Sequence, residues 1–248
     1  KKISIKKLEL TLLPYEGQPF QTFLIDYIRK NTGSKIHGFV HSYPSLPTHL
    51  IKRKISPNKL IVSCKDQKYS LIKYFDWNEN EIDFKDSSRF MKHHDRPMKN
   101  KIFLPINFNS VEKISYLFDK LLKYLENINL SEFEIKNHPH SSKSKKHLLL
   151  IDKIKEKISK SLKKNYNTTS EDLSIFIGST GSIVEALDQK IKVYHICENM
   201  LFEIYDNVIW PSINPIYVNK NIIKYEKKND ENLINLGNEN TIFSYFKI

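Results

Sequence analysis

The segment Gly178-Ser179-Thr180-Gly181-Ser182 has the residue types of a phosphate-binding turn. It follows the apolar run Leu173–Ile177 and leads into a helical pattern that starts at Ser182, so the sequence predicts a strand, a tight turn and a helix. At such a junction free backbone N–H groups and the positive end of the helix dipole point at one spot, which suits a phosphate. The alternative is an ordinary helix cap that binds no ligand.

His138 and Pro139 end the preceding predicted strand, within the segment Asn137-His138-Pro139-His140. The carboxyl ends of parallel strands meet at one edge of a sheet, so we expect these residues on the same edge as the phosphate turn. A histidine in this place can donate a hydrogen bond to a phosphate or protonate a leaving group. The alternative is a plain loop histidine.

Glu16 lies in Pro14-Tyr15-Glu16-Gly17-Gln18-Pro19, again between a predicted strand and a predicted helix. A carboxylate that is partly buried at a strand end can act as a general base. It can equally serve only as a favourable charge at the start of the helix.

Three further residues are secondary candidates. His41 and Ser42 follow a predicted strand and could touch a substrate, or belong to a structural loop. Glu185, one turn into the helix after the phosphate turn, could reach a ribose hydroxyl, and its alternative is a solvated helix carboxylate.

The elements that would position these residues alternate regularly in the second half of the chain. We predict strands at 101–106, 133–136, 173–177 and 192–196, with helices at 110–125, 148–162 and from 182 onward. Strands separated by helices of this length indicate βαβ units and a parallel sheet. The Lys- and Asn-rich segment 220–240 is predicted to be a solvated, poorly ordered connection.

The first half repeats the theme less regularly, with strands at 8–12, 36–40 and 59–63 and helices at 18–30 and 65–75. The polar stretch 87–101 is the best domain boundary. We therefore predict an α/β protein of two Rossmann-like domains facing a cleft, at 1–95 and 96–248, of which the first is short of its opening strands. The chain has no initiator Met, which suggests a fragment of a longer protein.

The composition narrows the function classes. The formal charge is +12, but only four of the 40 basic residues are Arg, and no nucleic-acid-binding signature is present, so we expect no nucleic-acid partner. The two cysteines, Cys64 and Cys197, have no CxxC spacing, which argues against a zinc site or a disulfide framework. No DxD pair or His/carboxylate cluster of ligand spacing occurs, so no metal ligands are assigned.

No apolar run approaches the ~20 residues of a membrane span and no signal peptide is visible, so we expect a cytoplasmic protein. Basic residues on and around the predicted helix 148–162 could rest against the inner face of an anionic membrane that carries a lipid-linked acceptor, or form a solvated face. These residues are Lys143, Lys145, Lys146, Lys163 and Lys164.

The candidates together resemble the motif set of bacterial sialyltransferases and related Kdo-type transferases. That set is an acidic residue followed by Gly, then His-Pro, then a Ser-Ser/Thr pair about forty residues later, and here it is Tyr15-Glu16-Gly17, His138-Pro139 and Ser179-Thr180. The chain also resembles bacterial surface-carbohydrate biosynthesis proteins through residues 15–21 and 38–45, and the similarity spans most of residues 8–215.

The resemblance implies two Rossmann-like domains of the GT-B type, an acceptor-side domain at 1–95 and a nucleotide-sugar-binding domain at 96–248. It also implies a CMP-activated nonulosonic or Kdo-type donor. It implies no metal for the chemical step and no cofactor beyond the CMP-sugar. Glu16 would be the general base toward a glycan acceptor, His138 would bind the donor phosphate or assist nucleotide departure, and Ser179 and Thr180 would hold the phosphate.

The sequence departs from that motif set at Tyr15, which replaces the first of two acidic residues. One carboxylate is left to act as base, so the donor is less well specified than the fold. The alternatives are a UDP- or GDP-sugar transferase or epimerase of the same fold, and a non-catalytic nucleotide-binding module.

Overall fold

The structure is a computed structural model that describes residues 8–91, 97–126, 128–137, 141, 144–162 and 172–246. It divides into two compact units. Unit 1 comprises Lys1–Tyr43, Pro47–Arg96 and Glu231–Ile248, and unit 2 comprises Pro44–Leu46 and Pro97–Asp230.

Unit 1 contains a four-stranded parallel sheet in the order β1-β2-β3-β4. The strands are β1 (Leu10–Pro14), β2 (Lys35–Phe39), β3 (Lys59–Val62) and β4 (Ile82–Phe84). Helix α1 (Pro19–Thr32) connects β1 to β2, and α2 (Lys65–Tyr74) connects β3 to β4. The first strand was predicted two residues too early, at 8–12. Pro14 instead forms its last residue, on an edge strand where a missing N–H costs little.

Helix α1 begins and ends on clear local signals. The Gln21 side chain accepts hydrogen bonds from the backbone N–H of Glu16, at 2.9 Å, and of Gln18, at 3.0 Å, and Pro19 occupies the first turn. Gly33 ends the helix with φ of 67°, a left-handed conformation that glycine adopts without strain. The start of α1 is therefore tied directly to the residues that follow β1.

The C-terminal segment belongs to unit 1. Ile234 forms an antiparallel bridge with Cys64, and Gly237 forms a parallel bridge with Met91, before α7 (Thr241–Ser244). A Cβ on Gly237 would lie 2.0 Å from the Ser87 carbonyl oxygen, so only glycine fits that contact. The predicted division at residue 95 had placed this segment in the second domain, since bridges between distant segments leave no local pattern.

Unit 2 contains a six-stranded mixed sheet in the order β6-β5-β7-β8-β10-β9. The strands are β5 (Lys101–Phe103), β6 (Glu134–Lys136), β7 (Leu173–Ile177), β8 (Lys192–Ile196), β9 (Ile213–Asn219) and β10 (Ile222–Lys227). The first four are parallel to one another, whereas β10 is antiparallel to β8 and to β9. The helices are α3 (Val111–Tyr124), α4 (Lys145–Leu162), α5 (Ser182–Asp188) and α6 (Met200–Glu203).

The core of unit 2 is formed by the apolar faces of α3 and α4 with the central strands. Its fully buried members include Phe118, Leu150, Ile154 and Ile175. The prediction that 220–240 is solvated and poorly ordered is wrong, because β10 pairs between β8 and β9 and buries Ile222 and Ile223. The high Lys and Asn content of this segment outweighed the signal of Ile222, Ile223 and Tyr225, which β10 buries.

The predicted α/β class is confirmed. The described residues contain a parallel sheet, a mixed sheet and seven α-helices. Among these residues no helix combines the length and the apolar character that crossing a bilayer requires.

Candidate functional site

Glu16 and His41 form a close pair in unit 1. Glu16 follows β1 and His41 follows β2, and these strands are parallel neighbours, so both residues lie at the carboxyl edge of the sheet. The Glu16 Oε1 atom is 3.2 Å from His41 Nε2, and both side chains are about one-third exposed. The structure thus brings the predicted base together with a residue that the sequence marked only as a secondary candidate.

The residues around Glu16 explain the form of its motif. Gly17 has φ of 67°, and a Cβ there would lie 1.9 Å from the His49 carbonyl oxygen, so glycine is required after Glu16. Tyr15, which stands at the first acidic position of the related motif, is buried, and its Cβ would be 2.7 Å from a Cβ on Gly38. Tyr15 is therefore a core residue that packs against Gly38 of β2.

His49 is close enough to Glu16 for the carboxylate charge to affect the pKa of its imidazole. Burial lowers the pKa of His49 below its ordinary value, and the negative charge of Glu16 opposes that effect. Ser42, the other secondary candidate in this loop, contributes its carbonyl oxygen, which accepts a hydrogen bond from Gln67 Nε2 at 3.0 Å.

A cavity of about 450 Å³ lies beside His41 within unit 1. Its lining is largely apolar, with Arg89 as the basic group and Glu239 as the acidic one; the apolar contributors are Pro14, Phe39, Met91 and Ile242. Arg89 Nη1 donates to the His41 carbonyl oxygen at 3.3 Å, which holds the guanidinium at the cavity. An apolar cavity with one cation next to a carboxylate suits a ligand with an apolar face and an acidic group.

In unit 2 the turn after β7 occupies the place where the strand order reverses. The chain runs from β5 to β6 on one side and then returns to β7 on the other, so the reversal lies between β5 and β7. Open α/β sheets bind ligands outside the carboxyl ends of the strands at such a point. The predicted phosphate turn lies at the carboxyl end of one of these two strands.

Gly178 opens this turn in a conformation that only glycine tolerates well. Its φ is 72°, and a Cβ would lie 2.9 Å from Pro105 Cβ in the segment after β5. Its N–H donates to the Ile196 carbonyl at 2.9 Å, and its carbonyl accepts from the His195 imidazole. The turn is thereby bonded to the end of β8 and lies close to the segment after β5.

Ser179 and Thr180 are held by residues that are remote in sequence. The Ser179 hydroxyl donates to Ser45 Oγ at 2.9 Å, and Ser45 in turn donates to the Phe202 carbonyl at 2.8 Å. The indole N–H of Trp210 donates to the Ser45 carbonyl at 2.9 Å. The short segment Pro44–Leu46 therefore belongs to unit 2, and nothing in the local sequence indicated that Ser45 would support the turn.

The rest of the turn contains backbone N–H groups that have no acceptor among the described residues. The Tyr205 hydroxyl donates to the Thr180 carbonyl at 2.8 Å. Within the described parts of the chain, no acceptor pairs with the backbone N–H groups of Ser179, Thr180 or Gly181. Ser182 and Glu185 are half-buried in α5. Unpaired N–H groups beside hydroxyls are donors that an anionic ligand could use.

His195 is a buried residue of β8, a strand that the sequence predicted. Its imidazole supports the turn through a hydrogen bond to Gly178. Burial lowers its pKa to about 3, an effect that the hydrogen bond to Gly178 partly opposes. Its Nδ1 is 3.2 Å from the Tyr225 hydroxyl. His195, Cys197 and Glu203 have ligating atoms within 4.8 Å of one another. Because the ring already has partners in Gly178 and Tyr225, we interpret this trio as a hydrogen-bonded core cluster.

His147, on the first turn of α4, is a further histidine at this edge that sequence reasoning missed. Its Nε2 is 2.9 Å from the Pro105 carbonyl, and its ring packs edge-on against Phe108. His147 is buried, and its Nδ1 has no partner among the described residues. Only the fold brings it to the segment after β5, since its sequence context is an ordinary amphipathic helix.

The predicted phosphate contacts His138 and Pro139 lie outside the described residues. On either side of them, Asn137 and Ser141 bond to each other: Ser141 Oγ donates to Asn137 Oδ1 at 3.1 Å, and Asn137 Nδ2 donates to the Ser141 carbonyl at 3.3 Å. Asn137 and Ser141 therefore lie together just after β6.

No protein-family model, curated protein or solved structure matches the chain.

Proposed function

We propose that this protein is an inverting glycosyltransferase that moves a nonulosonic or Kdo-type sugar from a CMP-activated donor to a cell-surface glycan. The observation that carries the proposal is the Glu16–His41 pair, a carboxylate held 3.2 Å from an imidazole at the carboxyl edge of a parallel sheet. A positioned carboxylate of this kind is suited to general-base catalysis.

Glu16 acts as the base in the proposed reaction. Its carboxylate takes the proton of the acceptor hydroxyl as that oxygen forms a bond to the anomeric carbon of the donor sugar. The bond from the anomeric carbon to the donor phosphate breaks, and CMP leaves with that bonding pair. One displacement from the opposite face inverts the configuration. His41 acts as a positioning residue, because its Nε2 faces the Glu16 carboxylate.

The turn Gly178–Ser182 binds the donor nucleotide in this proposal. Its support is the position of the turn beside the strand-order reversal, together with the unpaired N–H groups of Ser179, Thr180 and Gly181. His138 remains a predicted phosphate ligand or leaving-group acid, and Pro139 a predicted neighbour that fixes its approach. We propose no metal or other cofactor for the chemical step, since the hydrogen-bond donors named here can stabilise the leaving phosphate.

The cavity beside His41 is the proposed acceptor site. Its apolar lining fits the less polar face of a sugar ring, and Arg89 fits a carboxylate or phosphate of an acidic glycan. We further propose that units 1 and 2 correspond to the two Rossmann-like domains of the GT-B class. The reaction would take place at the cytoplasmic side of the membrane, where nucleotide sugars are available.

A nucleotide panel in a thermal-shift assay tests the donor. CMP and CDP should raise Tm, whereas UDP and GDP should not, and selective stabilisation by UDP or GDP would replace the CMP assignment. Glu16→Gln tests the base, because it keeps the side-chain shape and removes the basic oxygen. This variant should lose transfer and keep CMP affinity. A chain that binds CMP but shows no transfer with any donor would be a nucleotide-binding module.

A further inference from the structure

Helix α1 carries an apolar stripe on its solvent side. Phe20, Phe23, Leu24 and Tyr27 follow the spacing i, i+3, i+4 and i+7, which places them along one helix face. Their exposed fractions are 66%, 76%, 44% and 57%, respectively. The spacing is that of a core-facing stripe, yet none of these side chains is buried in unit 1.

The orientation of α1 is held by its opposite face. Gln21 and Ile25 are buried. The Gln21 amide donates to the Pro14 carbonyl at 2.8 Å, and its oxygen accepts from the backbone of Glu16 and Gln18. Turning the stripe inward would break this set of hydrogen bonds and expose Ile25. The stripe is therefore a fixed feature of the surface of unit 1.

We propose that the α1 stripe docks this protein onto an anionic lipid bilayer. Aromatic and aliphatic side chains on one face of a helix are the groups that enter the boundary between headgroups and acyl chains. The chain has a net charge of +12, and α1 carries Arg29 and Lys30 against one acidic residue, Asp26, which pairs with Lys30 at 2.6 Å. A positive protein with an apolar stripe is complementary to a bilayer that has a negative surface and an apolar interior.

A second copy of the chain fits the stripe less well. Four side chains on one helix form a narrow strip, whereas a stable protein interface buries ~1,200–2,000 Å². Two copies would also bring together chains that each carry a charge of +12. A bilayer needs neither a matching protein surface nor a large flat contact, and its charge has the opposite sign.

The stripe is a different surface from the lysines around α4. Lys146 Nζ donates to the carbonyl oxygens of Phe108, at 2.5 Å, and Asn109, at 2.9 Å, so it supports the backbone after β5. Lys145 opens α4, and Lys143, Lys163 and Lys164 lie outside the described residues. The α1 stripe has four exposed apolar side chains on one helix face, whereas α4 exposes Leu148 and Leu149 beside its lysines, each 48% exposed.

Docking through α1 has a consequence for catalysis. Glu16 is three residues before α1, and the Gln21 side chain ties its backbone to the first turn of that helix. A membrane-bound α1 would hold Glu16 close to the bilayer surface, where a lipid-linked glycan is presented. This consequence rests on the proposed function, whereas vesicle binding itself needs neither donor nor acceptor.

Vesicle co-sedimentation tests the proposal. We expect the full chain to bind phosphatidylcholine vesicles that contain phosphatidylglycerol, and to bind pure phosphatidylcholine vesicles much more weakly. The double variant Phe23→Gln/Leu24→Gln keeps good helix formers and removes the centre of the stripe. Its partition coefficient should fall at least about tenfold.

The matched control is Leu201→Gln/Phe202→Gln on α6, where the parent side chains are 82% and 63% exposed. It removes the same pair of residue types from another surface and should bind vesicles like the parent. Equal loss in both double variants would show general hydrophobic adsorption and overturn the assignment to α1. Circular dichroism and Tm must match the parent, and the single variant Phe23→Gln should give an intermediate loss.

Two further outcomes would also overturn the proposal. One is the absence of binding to phosphatidylglycerol vesicles by the parent chain. The other is a dimer in sedimentation velocity that Phe23→Gln/Leu24→Gln dissociates, since the stripe would then be an interface between copies. Neither outcome bears on transfer activity, so the proposed function and the docking surface can fail separately.

Discussion

The Glu16 carboxylate and the His41 imidazole meet at 3.2 Å at the carboxyl ends of two parallel strands. They are 25 positions apart in the chain, and α1 lies between them. Their contact depends on the register of β1 with β2, in which Pro14 lies opposite Phe39. A carboxylate and an imidazole in this arrangement can share a proton or fix each other's orientation.

The first prediction concerns the separate contributions of Glu16 and His41 to kcat. Glu16→Gln should lower kcat by at least about 10²-fold, because it removes the proton acceptor. His41→Gln should lower kcat by a smaller factor with little change in KM, because it removes the group that orients the carboxylate. Steady-state kinetics on both variants and the double variant measure the coupling. Strictly multiplicative losses in the double variant would mean that the two residues act independently.

The second prediction compares three glycines with nearly the same left-handed φ. Gly33 has no neighbour within 4 Å of an added Cβ, so Gly33→Ala should cost only the backbone strain, about 1–2 kcal/mol. Gly178→Ala adds the contact with Pro105, and Gly17→Ala adds a collision with the His49 carbonyl.

Urea denaturation should therefore give the highest free energy of unfolding for Gly33→Ala, a lower one for Gly178→Ala and the lowest for Gly17→Ala. CMP affinity should fall only for Gly178→Ala among variants that remain folded. Equal losses of stability at all three positions would mean that the neighbouring atoms move away freely.

The third prediction concerns Ser45. Replacing it by Ala leaves the Phe202 carbonyl without this hydroxyl donor and the Ser179 hydroxyl without its acceptor, so stability should fall by about 1–3 kcal/mol. CMP should bind several-fold more weakly, because Ser179 is no longer held. Isothermal titration and chemical denaturation measure the two effects.

Ser42→Ala is the control for this variant. Ser42 contributes its carbonyl oxygen, which alanine retains, so its stability should stay within about 0.5 kcal/mol of the parent. A weaker CMP affinity in Ser42→Ala than in Ser45→Ala would contradict the proposed role of Ser45.

The fourth prediction is an acid-dependent loss of stability. His195 is neutral in the folded protein until the pH approaches its lowered pKa of about 3, whereas in the unfolded chain it takes up a proton near its ordinary pKa of 6.5. Between these values the unfolded state binds the extra proton, so stability falls as the pH falls, by ~1.4 kcal/mol per pH unit for each such group. Burial lowers the pKa of His37 and of His49 in the same direction.

Urea denaturation between pH 7 and pH 5 isolates the contribution of His195. His195→Gln should be less stable than the parent at pH 7, because its bonds to Gly178 and Tyr225 are altered, but its stability should depend less steeply on pH. Parallel pH profiles for the parent and the variant would show that the folded state does not exclude the proton.

Local sequence determined most of the elements and one complete feature of the site. The apolar runs of β7 and β8 were predicted with the bounds that the structure has, since a fully buried strand between turns is visible in one window of sequence. The turn Gly178–Ser182 was likewise readable, because a left-handed glycine followed by hydroxyl residues and a helix is local information.

Only the tertiary structure decided which distant residues meet. The partnership of Glu16 with His41 comes from strand register, and the attachment of Ser45 to the turn comes from a two-serine contact across 134 positions. The exposure of the α1 stripe is the clearest case. Its periodicity is that of a core-facing helix, yet the hydrogen bonds of Gln21 bury the other face. Sequence periodicity states that a helix has an apolar face, and the packing of the rest of the chain determines whether that face is covered.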